Sequence, residues 1–227
     1  MGVSQRSSDR YPAGTRKQQI VETALRLVAA HGTEAVSAQL IADAIGVTQP
    51  AVFRHFPSKE AIWLAVMDWL EDQLVAIYAA ADGGESGLVV LSRMFLEHAK
   101  LIERYPALAK LVLSDHLRLQ YPELQGRFGR VHRAYMARIS ALIDRAKSDG
   151  TVADAVAGAD AATMFLSLIQ GLGFQVAIAR LPIAMLPQAE RTLGLYLQAV
   201  TAGAKSSERA DAIVQAAKRP RRLREPM

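Results

Sequence analysis

The stretch IADAIGVTQPAVFRHFPSKEA, residues 41–61, constrains the fold more than any other part of the chain. It interrupts a helix-forming sequence twice in quick succession. Ser37 can cap a helix that Gly46 stops, Thr48 a second that runs only to about His55, and Ser58 a third. A helix of two turns is not stable alone, so its neighbours must hold it. Gly46 can take the positive φ that a tight turn needs. Ala42 is small enough to let two helices approach, and Val52 can pack back across the turn. Leu40, Ile41, Ile45, Val47 and Phe56 complete a small core. Those features alone describe any corner between two helices. The outward residues of the short segment are more specific: Gln49, Ala51, Arg54 and His55 make a set of small, amide and basic side chains rather than a charged solvent face. Such a helix can enter a major groove, where Gln bonds adenine edges and Ala touches a thymine methyl. Lys59 stands in the first turn of the following helix, badly placed for its own macrodipole unless a phosphate lies close by.

The surrounding sequence predicts an all-α protein. Thr15 and Gln18 fit a capping box for a first helix, whose apolar face carries Ile20, Ala24, Leu27, Val28 and His31, with Gly32 as its end. After the broken stretch, the helix capped by Ser58 continues to about Ala80, and a Gly-rich loop follows. Further helices are predicted over 86–104, 106–119, 122–149, 158–180 and 187–204. No strand pattern stands out. The run Ala161 to Ala179 lacks charges and approaches membrane-spanning length, but Thr163, Ser167, Gln170 and Gln175 interrupt it. A helix buried in a core or a subunit interface is the expectation there, and no membrane partner.

Composition narrows the function classes. The chain has 227 residues and no cysteine, which excludes disulfides, thiolate metal sites and a cysteine nucleophile. The N-terminal MGVSQRSSDRYPAG lacks the apolar run of a secretory signal, so a cytoplasmic chain is expected. The net charge is +5, and residues 205–227 alone hold seven Lys/Arg against three Asp/Glu. That end reads as a basic, disordered tail. The histidines His31, His55, His98, His116 and His132 form no metal-ligand spacing. There is no nucleophile elbow, phosphate-cradling glycine loop or dinucleotide fingerprint. Neither catalytic residues, metal nor cofactor is therefore expected, and the chain does not read as an enzyme.

Residues 15–80 resemble the DNA-binding domain of TetR-family transcriptional regulators. The pattern IADAIGVTQPAVFRHFPSKEAIWLAV, preceded by a helix ending AAHG and by Ser37, carries the likeness. The resemblance implies an N-terminal three-helix domain with a helix-turn-helix and a larger α-helical domain for ligand binding and dimerisation. The implied organisation is an arm at 1–14, the DNA-binding domain at 15–60, the ligand and dimer domain at 61–204 and the tail at 205–227. Ser37, Thr48, Gln49, Ala51, Arg54, His55 and Lys59 become the DNA-contact candidates. Phe53 stands where the family commonly places a tyrosine that contacts the DNA backbone, and phenylalanine cannot donate to a phosphate. Candidate pocket residues are Met67, Phe95, His98, Phe128, His132, Tyr135, Phe165 and Gln170, which mix large apolar groups with a few polar anchors. Residues 158–180 and 187–204 carry more apolar surface than two terminal helices need. Gly171, Gly173 and Gly194 would let helices approach closely, so these segments are the expected homodimer interface. The implied function is a ligand-responsive homodimeric regulator, a repressor released from a pseudo-palindromic operator by a small molecule. The alternative is an architectural or cell-division DNA-binding protein whose second domain binds a protein partner.

Overall fold

The computed structural model describes residues 13–179, 184–201 and 206–218. The expected arm, but for its last two residues, and the end of the tail from residue 219 lie outside the described residues, as do the last residues of the predicted 187–204 helix. The described chain forms eleven helices, and its one strand-like feature is an isolated bridge between Val152 and Thr201. None of these helices is long and apolar enough to cross a membrane.

Helix α1, Ala13–His31, begins before Thr15, so Thr15 and Gln18 do not cap it; Gln18 bonds Glu22 within the helix instead. Its predicted face is buried at Ile20, Ala24, Leu27 and Val28, whereas His31 is exposed at the end. Gly32 closes the helix with φ 83° and donates to the Val28 carbonyl at 2.9 Å. Helix α2, Ala38–Ile45, has Ser37 as its cap, accepting from the Leu40 amide at 3.1 Å. Gly46 adopts φ 70° and ends it. Helix α3 is only Gln49–Phe53, shorter than the sequence predicts. Helix α4, Lys59–Ala81, starts where Ser58 accepts from the Ala61 amide at 3.0 Å.

Helix α5 is Gly87–Arg104. The predicted single helix at 106–119 is in fact two, α6 (Ala107–Val112) and α7 (Asp115–Gln120). The break follows from Ser114, whose hydroxyl accepts from the Leu117 amide at 3.3 Å and begins a new helix. The same hydroxyl lies 3.0 Å from that of Thr33, which ties the break to the turn after α1. Helices α8 (Pro122–Ser148), α9 (Gly158–Ala179) and α10 (Met185–Val200) complete the predicted set. An eleventh helix, α11 (Ser206–Lys218), corrects the expectation of a disordered tail over those residues. It lies against α5 and α10, buries Val214 and pairs Lys218 with Glu190 at 2.6 Å. Basic composition suggested disorder, but one apolar strip with Ile213, Val214 and Ala217 is enough to seat a helix on a prepared surface.

Two hydrophobic cores hold these helices. The first joins α1, α2, α3 and the front of α4 with residues of α5 to α8, including Leu108 and Leu124. The second lies among α5, α8, α9 and α10, around Phe95, Phe165 and Tyr196. Phe165 meets Phe95 and Tyr196 edge-on at 5.2 and 5.8 Å between ring centroids. Packing is therefore continuous across residue 60. Helix α8 grips α4 along its length: Arg127 pairs with Asp68 at 2.5 Å, Arg138 covers the Tyr78 ring at 3.8 Å, and Arg145 meets Asp82 at 3.2 Å.

The start of α5 is the tightest helix contact. A side chain at Gly87 would place its Cβ 2.1 Å from the Leu142 carbonyl oxygen and 2.8 Å from the Ala146 nitrogen, both backbone atoms of α8. Gly87→Ala should therefore lower stability by about 1–3 kcal/mol or more, read as a drop in melting temperature. An unchanged melting temperature would show that α5 can shift away from α8 without cost.

Candidate DNA-reading face and ligand cavity

The reading head is built on buried small groups. Ala42 and Val52 are both wholly buried, and Ile41 is nearly so, which holds α3 against α2. The turn is closed by the Val47 amide, which donates to the Ala42 carbonyl at 3.0 Å. Leu40, Ile45 and Val47 pack partly buried around this contact. The outward residues follow from that anchoring. Ser37, Thr48 and Arg54 are exposed, and Gln49, Ala51, His55 and Lys59 are half-buried.

Thr48 occupies the cap position of α3, but its side chain makes no capping bond. Its hydroxyl is not spent on the helix. The Ser37 hydroxyl accepts from Leu40, which leaves its own proton to donate. Partial burial holds the Lys59 pKa below the usual lysine value. A neighbouring phosphate would favour the charged form again. Phe53 is 39% exposed on this head, an apolar side chain presented outward where a hydroxyl could have donated. Lys17 approaches the Phe56 ring at 5.8 Å and brings a further cation from α1 to the same domain.

A second site lies between α4, α5, α6, α8 and α9. It is a cavity of about 350 Å³ with a mainly apolar wall. Of the pocket candidates, His98, Phe128, His132, Tyr135 and Gln170 line it. Met67, Phe95 and Phe165 do not. Met67 is buried in the core beneath the reading head, and Phe95 and Phe165 fill the second core. Their size marked them as pocket candidates, but in a helical bundle large apolar groups serve packing first. Sequence reasoning missed Arg118 and the α6 residues Leu108, Ala109 and Val112, which also form the wall. The serine at 114, which turns α6 into α7, was the available signal.

The polar centre of the cavity is a pair. His98 Nδ1 lies 3.0 Å from the Tyr135 hydroxyl, and the rings stack edge-on at 5.4 Å. Burial lowers the His98 pKa to about 4 and raises that of Tyr135, so both are neutral near pH 7. Arg118 donates to the Val112 carbonyl at 2.5 Å and to the Asp115 carboxylate. Gly173 lets α9 approach α6, since a Cβ there would sit 3.3 Å from Ile102 and 3.6 Å from Ala109. Gly171 and Gly194 have open space where a side chain would project, so within one chain they bring no helices together.

Comparison with known proteins agrees with this arrangement. Residues 20–66, which span α1 to the front of α4, match the bacterial regulatory proteins of the tetR family. The nucleoid occlusion factor SlmA of Enterobacter sp. (strain 638) is 25% identical over 134 residues, which are 58% of this chain and 68% of that protein. The corresponding match to SlmA of Escherichia coli O1:K1 / APEC spans 64% of the relative's length. Among solved structures, the ketosteroid transcriptional regulator KstR2 of Mycobacterium tuberculosis superposes with a TM-score of 0.70 at 18% identity, covering 83% of this chain and 96% of that one. The regulator FadR of Bacillus subtilis, solved in complex with stearoyl-CoA, gives 0.68 at 16% identity, over 79% and 96%. At such identity the structures establish the all-α fold. The helix-turn-helix held by Gly46, Ala42 and Val52 lies inside the segment matched to the tetR family of bacterial regulatory proteins, so residues 20–66 are a TetR-type DNA-binding segment carried on an all-α fold like that of TetR regulators.

Proposed function

We propose that the chain is a cytoplasmic, homodimeric repressor that binds a pseudo-palindromic operator and releases it when a small molecule occupies the cavity. The observation that carries this reading is that the cavity and the reading head share a helix. Helix α4 begins at Lys59 beside the head, and its Leu70 and Leu74 line the cavity. Helix α6 gives a second link: Leu108 and Ala109 face the cavity, and Lys110 donates to the Ala29 carbonyl of α1 at 2.7 Å. A ligand that favours one placement of α4 and α6 alters the spacing of two heads in a dimer.

In this reading Gln49 and Ala51 meet base edges, Ser37, Thr48 and Lys59 meet phosphates, and Arg54 and His55 border the groove. The outer surface of α9 and α10 supports self-association. It exposes Met164, Phe174 and Leu195 at 39%, 46% and 67%, with Gly171 and Gly194 open beside them. Joined to a second copy, these helices make a four-helix interface and set two heads about 34 Å apart on DNA. The likeness to nucleoid occlusion factors favours a second reading, a DNA-bound protein of cell division with a protein partner. The apolar cavity with its polar pair supports the ligand-responsive reading over that one.

Mobility shift with DNA from upstream of the protein's own gene, extended to genome-wide selection, tests the central claim; selection of no specific site removes it. Lys59→Ala should weaken binding to all sequences alike. Gln49→Ala should cost about 1–3 kcal/mol at one base position and relax preference there. Equal weakening on every sequence would take Gln49 off the bases. Leu195→Glu should shift the protein toward monomer in sedimentation and reduce operator affinity, and a persistent dimer would place the interface elsewhere.

The neutral histidine of the cavity gives a pH dependence. His98 has a folded pKa of about 4 against an ordinary 6.5, so the unfolded chain binds its proton first. Its contribution is therefore complete above pH 6.5 and is lost as pH falls toward 4, by on the order of 3 kcal/mol. His98→Gln should flatten that slope in urea unfolding between pH 6.5 and 4. An unaltered slope would mean that other groups carry it.

A further inference from the structure

We infer that the cavity takes an uncharged, largely apolar molecule bearing a hydrogen-bonding oxygen, which the His98–Tyr135 pair recognises. The inference rests on the ligand-responsive reading above and names the chemical class of its effector. Charge is the first discriminator. No Asp or Glu stands among the lining residues, so nothing in the wall compensates a cationic ligand. One permanent cation, Arg118, does line it, but its guanidinium is turned to the Val112 carbonyl and the Asp115 carboxylate. An anionic ligand would have to draw Arg118 from the Val112 carbonyl and the exposed Asp115 carboxylate, or enter an apolar wall unpaired, which costs more than leaving it in water.

The pair supplies the second discriminator by proton counting. If the Tyr135 hydroxyl donates to His98 Nδ1, the neutral imidazole carries its proton on Nε2 and can donate from there. If Nδ1 donates to the tyrosine oxygen, the Tyr135 proton is free instead. Either tautomer leaves one donor and one acceptor for a ligand, and neither leaves a charge. A carbonyl, ether or hydroxyl oxygen accepts from that donor, a hydroxyl can also donate to the acceptor, and a hydrocarbon does neither. Phe128 and Leu74 are among the apolar residues that would receive the remainder of the molecule. The cavity of about 350 Å³ lies at the small end of the range for ligand sites, which suits one compact molecule.

The test uses the full chain and three probes of equal chain length, 2-decanone, decanoate and decyltrimethylammonium, each below its micelle concentration. Isothermal titration should show the ketone binding at least about tenfold more tightly than either ion. In the double variant His98→Leu/Tyr135→Phe, ketone affinity should fall about tenfold, provided melting and operator binding show it folded. Tyr135→Phe alone, which preserves the ring, should show a smaller loss and serves if the double variant does not fold. Equal or tighter binding of decanoate or the ammonium ion overturns the inference, as does binding of none of the probes. Unchanged ketone affinity in the folded variants also overturns it. Operator release is read separately by mobility shift. A ketone that binds in the expected pattern without moving operator binding keeps the ligand class and defeats the regulatory reading. A charged probe that binds tightest and releases the operator does the reverse.

Discussion

Everything in this molecule depends on the burial of α4 from two sides. Its first half is built into the core beneath the reading head, where Trp63, Val66 and Met67 have essentially no exposed surface. Its second half leans on α5 and α8, with Leu74 and Ile77 packed against both cores. A helix fixed by two cores cannot move in one without disturbing the other, because close-packed interiors transmit displacement rather than absorb it. That constraint joins the core beneath the helix-turn-helix to the cavity wall through a single helix.

The contacts along α8 refine this picture. Arg145 and Arg138 hold the far end of α4 through Asp82 and the Tyr78 ring. Arg127 holds the near end through Asp68, with Glu71 3.6 Å away. These ion pairs are partly solvated, so each is worth little alone. Their value is positional. Phe128 follows Arg127 directly and lines the cavity, so a change at the wall sits one residue from the grip on α4.

Much of the fold was legible because its signals are local. Ser37, Gly46 and Ser58 state in single residues where helices begin and end, and the structure realises all three. Period and capping likewise revealed α5, α8, α9 and most of α10. The split between α6 and α7 was written in Ser114-Asp115, a cap followed by an acidic first turn, but the surrounding leucines read as one continuous face. Thr15 misled in the opposite way, since a capping pattern can lie inside a helix that has already begun. The cavity was less legible. His98 and Tyr135 are 37 positions apart, and only tertiary packing brings them to 3.0 Å. Met67, Phe95 and Phe165 have the same chemistry as lining residues, and no sequence pattern distinguishes an apolar group beside a void from one that fills it.

The seating of α11 has a consequence for how the chain is handled. Val214 is buried against the second core, and Ile213 and Ala217 cover more of its edge. A chain cut short before Ser206 would leave that strip of α5 and α10 facing water. The lost helix would be replaced by a new adhesive patch. Trimming the end of this protein to tidy it for crystallisation would then trade a charged terminus for poorer solubility.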